Sequence, residues 1–262
     1  MPLILITNDD GYQAAGIQAL TRAVASLGEV YVVAPDGPRS GAACAITATV
    51  PVTYREIHAH PDYPAGVHLF ACSGTPVDCV KLAWDNILPR TPDLLLSGIN
   101  HGDNASISVH YSGTMGAVFE GCMKDIPSIG LSLYLQRGQR YEDHPVCTAA
   151  LDAIAKLCQR VIAEGLPQDV CLNINFPVAN SFRGWQVCRQ ARGRWTAEWA
   201  TATNPHGLNA YWLTGKFTDL EPEATDTDFS ALRAGYASIV PTTIDMTAHR
   251  FIEELSSLVI SH

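Results

Sequence analysis

The sequence predicts an α/β protein: three layers, α/β/α, around a mostly parallel sheet, with a β-rich C-terminal arm. Three observations carry that expectation. Leu3–Thr7 is an unbroken aliphatic run, the pattern of a strand buried on both faces of a parallel sheet. An apolar repeat at helical spacing and a second apolar strand follow within about thirty residues, which is the length of a βαβ unit. Strands and amphipathic helices then keep alternating as far as Phe176.

Taken in order, the strand at Leu3–Thr7 leads to a helix over Ala14–Leu27, where Ile17, Leu20, Val24 and Leu27 share a face. "EVYVVA" (Glu29–Ala34) is the second strand. Residues 44–72 break the rhythm; "ATVPVTYREI" and "GVHLFA" read as an inserted hairpin or extended arm. Thr75-Pro76-Val77-Asp78 marks a helix start, with a Thr cap, Pro at the first helical position and Asp three residues after the cap. "PDLLLS" (Pro92–Ser97) is a buried strand, Ser112–Asp125 a helix, Ile126–Leu133 a strand, Ala150–Ala163 a helix and Val170–Phe176 a strand. Beyond it, residues 178–245 are rich in Trp, Thr, Pro and turn residues, with strands expected at Ala210–Phe217 and Gly235–Pro241, and a last helix at Ala248–Val259. The expected organisation is therefore a core over 1–177 with 44–72 inserted, a β-rich appendage over 178–245, and a C-terminal helix in 246–262 that returns to the core.

Composition narrows the function. With 262 residues, 47% hydrophobic and 16% charged, the chain is one large domain, or a domain with an appendage, and has ample material for a core. A net charge of -9 without a long basic block argues against binding a nucleic-acid polymer. A small phosphorylated substrate stays compatible with that balance, because one metal ion supplies positive charge locally. A first strand reached by Leu3 leaves no room for a secretory leader, and no apolar run approaches the ~20 residues that cross a bilayer. Eight scattered cysteines without a C-x-x-C pair read as reduced core residues. The cytoplasm is the expected compartment, and no membrane is expected as a partner.

In an open parallel sheet, ligands bind beyond the carboxyl ends of the strands. The residues just after the expected strands are Asn8, Asp9, Asp10 and Gly11; then Asp36, Arg39 and Ser40; then Asn100, His101, Asp103 and Asn104; Ser112, Gly113 and Thr114 stand at a helix start. Two adjacent carboxylates repel when both are ionised, and a divalent cation removes that cost. Asp9, Asp10, Ser40 and Asn100 offer the hard oxygen ligands that suit Mg²⁺ or Mn²⁺. The plainer reading of Asn-Asp-Asp-Gly is a turn in which one Asp caps the next helix. "YSGTMG" can be an anion cradle at a helix N-terminus or an ordinary cap. His101 and His110 read as loop residues or as an acid beside phosphate, and Asp226–Asp228 as a ligand pair or a cap. Neither G-x-G-x-x-G after the first strand nor a Walker motif occurs, which counts against dinucleotide and P-loop functions.

The segments "ILITNDDGYQAAGIQAL", "VVAPDGPRSG", "GTPVDCVKLA", "PDLLLSGINHGDN", "YSGTMGAVFEG", "IPSIGLSL" and "DTDFSALRAGYASIVP" resemble, in order and over nearly the whole chain, the SurE family of survival-protein-E nucleotidases. That resemblance implies a Rossmann-like domain with a C-terminal β-arm exchanged in a homodimer, with homotetramers also formed. It implies a metal-dependent 5′/3′-nucleotidase that splits nucleoside monophosphates into nucleoside and orthophosphate, with some members acting on short polyphosphate. Carried over by motif, Asp9, Asp10, Ser40 and Asn100 would hold one divalent ion, Mg²⁺ or Mn²⁺, per subunit, while Asn104, Ser112, Gly113 and Thr114 would hold the phosphate. One stretch departs from the family: many members carry a Gly-Asp pair where this chain has Ala105–His110. The expected chemistry is attack by a metal-activated water with Asp9 or Asp10 taking the proton; an aspartyl nucleophile is the rival mechanism. A metal- or nucleotide-binding regulatory module without turnover is the rival function.

Overall fold

Strand β1 (Leu3–Thr7) is buried at every residue, and its side chains alternate between two cores. Ile4 and Ile6 face one, Leu3 and Leu5 the other, so the strand must be aliphatic throughout. This computed structural model describes residues 1–135, 138–204 and 206–260. Helices α1 (Ala15–Val24) and α4 (Thr148–Glu164) cover the face holding Ile4 and Ile6; α2 (Pro76–Leu82) and α3 (Gly113–Cys122) cover the other. The three-layer α/β/α architecture is as the sequence predicts.

Within the described residues the main sheet has nine strands. β1 sits between β2 (Glu29–Pro35) and β5 (Leu94–His101), both parallel to it. Outside β2 come β4 (His68–Cys72), parallel, and the short exposed β3 (Tyr54–Glu56), antiparallel. On the other side follow β6 (Ser128–Tyr134) and β7 (Val170–Pro177), both parallel. The chain therefore winds outward from β1 in one direction, then restarts at β5 and winds in the other. The β1/β5 boundary is the topological switch point, where the loops leaving the two strands diverge and open a crevice.

Several expectations change in detail. Helix α1 ends at Val24, and its last predicted turn survives as a bond from Leu27 N to Val24 O (2.9 Å). The segment expected as an inserted arm over 44–72 contributes a genuine core strand: Leu69 through Cys72 are buried and in register with Val32–Pro35. The 178–245 appendage is likewise partly absorbed. β13 (Ala237–Thr243) pairs antiparallel with β7, and β8 (Trp185–Val187) pairs with β13 at the sheet edge. What projects is β9 (Gly193–Thr196), β10 (Trp199–Thr203), β11 (Asn209–Leu213) and β12 (Lys216–Asp219). The single strand expected at Ala210–Phe217 breaks at Thr214-Gly215, because β11 pairs with β10 whereas β12 pairs with β9. Helix α5 (Asp228–Arg233) precedes β13. The last helix, α6 (Ile252–Ile260), does not return to the core in this chain; its described side chains, Ile252 through Val259, are exposed. His262 and Ser261, which end the predicted 246–262 segment, lie outside the described residues.

Candidate active site

At the end of β1, Asn8 folds its carboxamide onto the chain, donating from Nδ2 to Gly11 O (2.9 Å) and accepting Gly11 N on Oδ1 (3.2 Å). This closed turn sets Asp9 and Asp10 at the switch point, each tied to a different element. Asp9 is buried, and its Oδ1 accepts the Thr114 hydroxyl (2.6 Å) at the start of α3. Asp10 accepts the backbone N–H of His101 on Oδ2 (3.0 Å) at the end of β5. The Asp9 carbonyl accepts Arg39 N (2.7 Å), which draws in the loop bearing Ser40.

Strand β5 is irregular where it matters. Its register with β6 shifts between Ser97 and Asn100, a bulge that re-aims the residues after it. Asn100 then donates from Nδ2 to Gly102 O (2.7 Å), which leaves its carboxamide oxygen to offer as a ligand. Asn104 is fixed by three buried partners: its N–H donates to Asn175 Oδ1 (2.7 Å), its carbonyl accepts Asn173 Nδ2 (2.8 Å), and its own Nδ2 donates to Ser132 Oγ (2.7 Å).

One cavity of about 330 Å³ gathers these loops. Its walls include Asp9, Asp10, Ser40, Asn100, Asn104 and Ser112, so six of the eight residues expected from the sequence meet in one place. Gly113 and Thr114 do not line it. Thr114 is fully buried with its hydroxyl on Asp9, and a Cβ at position 113 would stand 2.9 Å from Asp9 Cβ. The S-G-T turn thus cradles a carboxylate, with Gly113 giving α3 room to bring its N-terminus onto Asp9. Ser112 caps the helix by accepting Met115 N on Oγ (3.0 Å), which leaves its hydroxyl hydrogen to donate into the cavity.

The electrostatics call for a cation. Burial, then the neighbouring Asp10 charge, push Asp9 up to about 6 against the Thr114 hydrogen bonds that hold it down. Asp10 is also raised, first by burial, with His101 opposing. No lysine or arginine is among the described residues lining the cavity. Arg39 turns away to Asp36 Oδ1 (2.9 Å), Ser73 O (3.0 Å) and Gly74 O (3.3 Å). One buried and one partly buried carboxylate with an amide and a hydroxyl oxygen, and no lysine or arginine beside them, fit a hard divalent ion. Among the described residues no group of three or more His, Cys, Asp or Glu side chains is placed to hold a metal ion, so an ion at Asp9 and Asp10 would need oxygens such as those of Ser40 and Asn100 to complete its shell.

The remaining candidates sort themselves by contact. His101 stacks on Tyr141 (4.8 Å between centroids) and lines the cavity, whereas His110 is exposed. Thr227 caps α5 in a capping box with Ser230, and Asp228 accepts the N–H groups of Ser106 (2.7 Å), Ala191 (3.0 Å) and Phe229 (2.8 Å). Asp228 thereby ties down the start of the short helical turn Ser106–Tyr111, which overlaps the stretch Ala105–His110 where the chain departs from the family pattern. Sequence reasoning did not single out Trp195, Glu198, Leu213 and Thr214, which reach the cavity from the projecting hairpin. No periodicity or motif marks them, because their place depends on how the hairpin bends.

Comparison with known proteins bears on the family and the fold. The family model for survival protein SurE matches residues 4–197. A protein of Phocaeicola vulgatus named 5′-nucleotidase SurE is 47% identical over 256 residues, covering 98% of this chain and 96% of its own length. One of the same name from Bacteroides fragilis is 47% identical over 259 residues, at 98% and 97% coverage. The crystal structure of the SurE protein from Aquifex aeolicus superposes with a TM-score of 0.80 at 33% identity, covering 98% of this chain and all of that one.

Proposed function

The chain belongs to the SurE family, and from that premise we propose that its cavity is the active site of a metal-dependent nucleotidase, which hydrolyses nucleoside monophosphates to nucleoside and orthophosphate. The observation that carries the reading is the adjacent Asp9–Asp10 pair at the β1/β5 switch point, Asp9 buried and Asp10 partly buried, facing a cavity with no lysine or arginine among its described walls. Asp9, Asp10, Ser40 and Asn100 would hold one Mg²⁺ or Mn²⁺ per subunit. Such an ion supplies charge neutralisation for the phosphoryl oxygens and lowers the pKa of water.

The chain's own residues do the rest. Thr114 holds Asp9 by Oδ1 and directs the other carboxylate oxygen elsewhere. The His101 amide holds Asp10 by Oδ2, which leaves Oδ1 to accept a proton from the attacking water. Ser112 Oγ and the second Asn104 Nδ2 hydrogen donate to phosphate oxygens; Gly113 and Thr114 act one step back, by positioning Asp9. This phosphate end does not distinguish which ribose hydroxyl carries the ester, so the proposal covers 5′- and 3′-nucleotides, and short polyphosphate as a side activity. Among the described residues no helix is long and apolar enough to cross a membrane; the cytoplasm remains the proposed compartment. The exposed Trp199, Tyr211, Trp212 and Leu213 support pairing of the projecting hairpin with a second copy, in a homodimer or homotetramer.

Orthophosphate release from nucleoside monophosphates, with Mg²⁺ or Mn²⁺ and then with chelator, tests the reading. Release that requires metal and is lost in Asp10→Asn is the expected result. Nucleotide binding without release by the wild-type protein would favour the regulatory module instead.

A further inference from the structure

The cavity has a wall that phosphate chemistry leaves unused. Strands β9 and β12 are the inner half of a long hairpin, and β10 and β11 are its outer half. Both sides break at one level, through positive φ at Ala197 (49°) and Gly215 (128°). Thr214 N donates to Glu198 O (2.7 Å) across the break, and Thr214 Oγ1 to Ala197 O (3.3 Å). Trp195, Glu198, Leu213 and Thr214 line the same cavity as Asp9 and Asp10.

The Trp195 ring is held in place. It meets Phe217 nearly edge-on, 5.6 Å between centroids at 73°. Phe217 lies 4.8 Å from Phe229, and Phe229 packs on Tyr134 at 5.9 Å, so aromatic contacts run from the hairpin into the core. On another side a Cβ added at Gly215 would stand 3.1 Å from Trp195 Cε3. A braced, partly exposed indole in a phosphate-binding cavity suits a planar base, because every base offers a π-face and stacking needs no further chemistry.

Glu198 adds a direction to that contact. Its backbone is pinned by Thr214, the residue stands in the cavity wall, and no lysine or arginine shares the described lining. A carboxylate only accepts hydrogen bonds. Guanine offers it two parallel donors, N1–H and the 2-amino group. Adenine and cytosine offer one amino group beside a ring nitrogen that repels it, and uracil one N–H between two carbonyls. We infer that Trp195 is the stacking face of a nucleobase subsite and Glu198 its edge reader, so that guanine nucleotides are preferred. The inference rests on the nucleotidase reading and adds base selectivity to it.

Guanosine carries no phosphate and isolates this subsite from the metal. Calorimetric titration of guanosine, inosine, adenosine and uridine into the wild-type protein should rank guanosine first. Trp195→Ala should weaken guanosine about tenfold or more, Trp195→Phe much less, and Glu198→Gln should narrow the guanosine-over-adenosine preference. In steady state, Trp195→Ala should lower the ratio of kcat/KM for GMP to that for ribose 5-phosphate about tenfold, through KM. An unchanged ratio, or guanosine binding that is absent at millimolar concentration or insensitive to Trp195→Ala, overturns the stacking face. Equal binding of the four nucleosides overturns the role of Glu198. If neither phosphate ester is hydrolysed, the nucleotidase reading fails, and the guanosine titration still decides the subsite.

Discussion

The two ends of the cavity are built in opposite ways. At the carboxylate end, the loops leaving buried parallel strands lock one another: Asp9 to Thr114, Asp10 to the His101 amide, Arg39 N to the Asp9 carbonyl, Asn104 to Asn173 and Asn175. Every tie is a directed polar bond, and Asp9 is only 4% exposed. At the aromatic end, the walls hang on a hairpin whose outer strands are open to solvent, with Trp212 68% and Leu213 69% exposed. Its inner half is held to the core by Phe217 on Phe229 and, at its base, by the Asp219–Arg233 ion pair (2.6 Å). Chemistry that tolerates little displacement sits where backbone and core over-determine each position. Contact that tolerates displacement sits on an arm.

That contrast sets an order of sensitivity. The largest loss should follow Asp10→Asn, on the order of 10²–10³-fold in kcat/KM for any nucleotide. An unchanged thermal midpoint with chelator present would show that the loss is chemical and not structural. Thr114→Val comes next. It removes the bond that orients Asp9 and should weaken Mn²⁺ binding about 10–100-fold, read by calorimetry. Full affinity in that variant would mean that the carboxylate end is not over-determined. Phe217→Leu unbraces Trp195 and should raise KM for nucleotides several-fold while Mn²⁺ affinity holds. Equal damage to both would erase the distinction between the two ends.

The smallest effect concerns pH. Burial lifts the Asp103 carboxyl to about 6, so between about pH 4 and 6 the folded chain binds this proton more tightly than the unfolded chain does. Its contribution is therefore present below the ordinary aspartate pKa and lost as pH rises through about 6. Asp103→Asn should flatten the fall in Tm over that interval, measured by circular dichroism with chelator present; an identical slope would contradict it.

The same contrast explains what the sequence made readable. Asn8–Gly11, Ser40 and Asn100 could be placed because each follows an apolar run, and an open parallel sheet puts such loops on one edge. The role of Thr114 could not be seen, since its hydroxyl finds Asp9 across 105 positions of the chain. Likewise β4, β8 and β13 looked like parts of appendages, because whether a short strand joins the sheet depends on a partner far along the chain. The final helix is expected from the sequence to return to the core, yet its described side chains are exposed in a single chain. Trp195 gave no signal at all, for its approach to the cavity comes from a bend at Ala197 and Gly215.

Crystals grown with Mn²⁺ and orthophosphate, with anomalous data collected at the manganese edge, probe the carboxylate end most directly. One anomalous peak per subunit is expected at coordination distance from Asp9, Asp10, Ser40 and Asn100, with phosphate beside Asn104 and Ser112. Manganese bound elsewhere, or none at this pair while the crystals hydrolyse nucleotide, would contradict the assignment of the switch-point aspartates as the metal site.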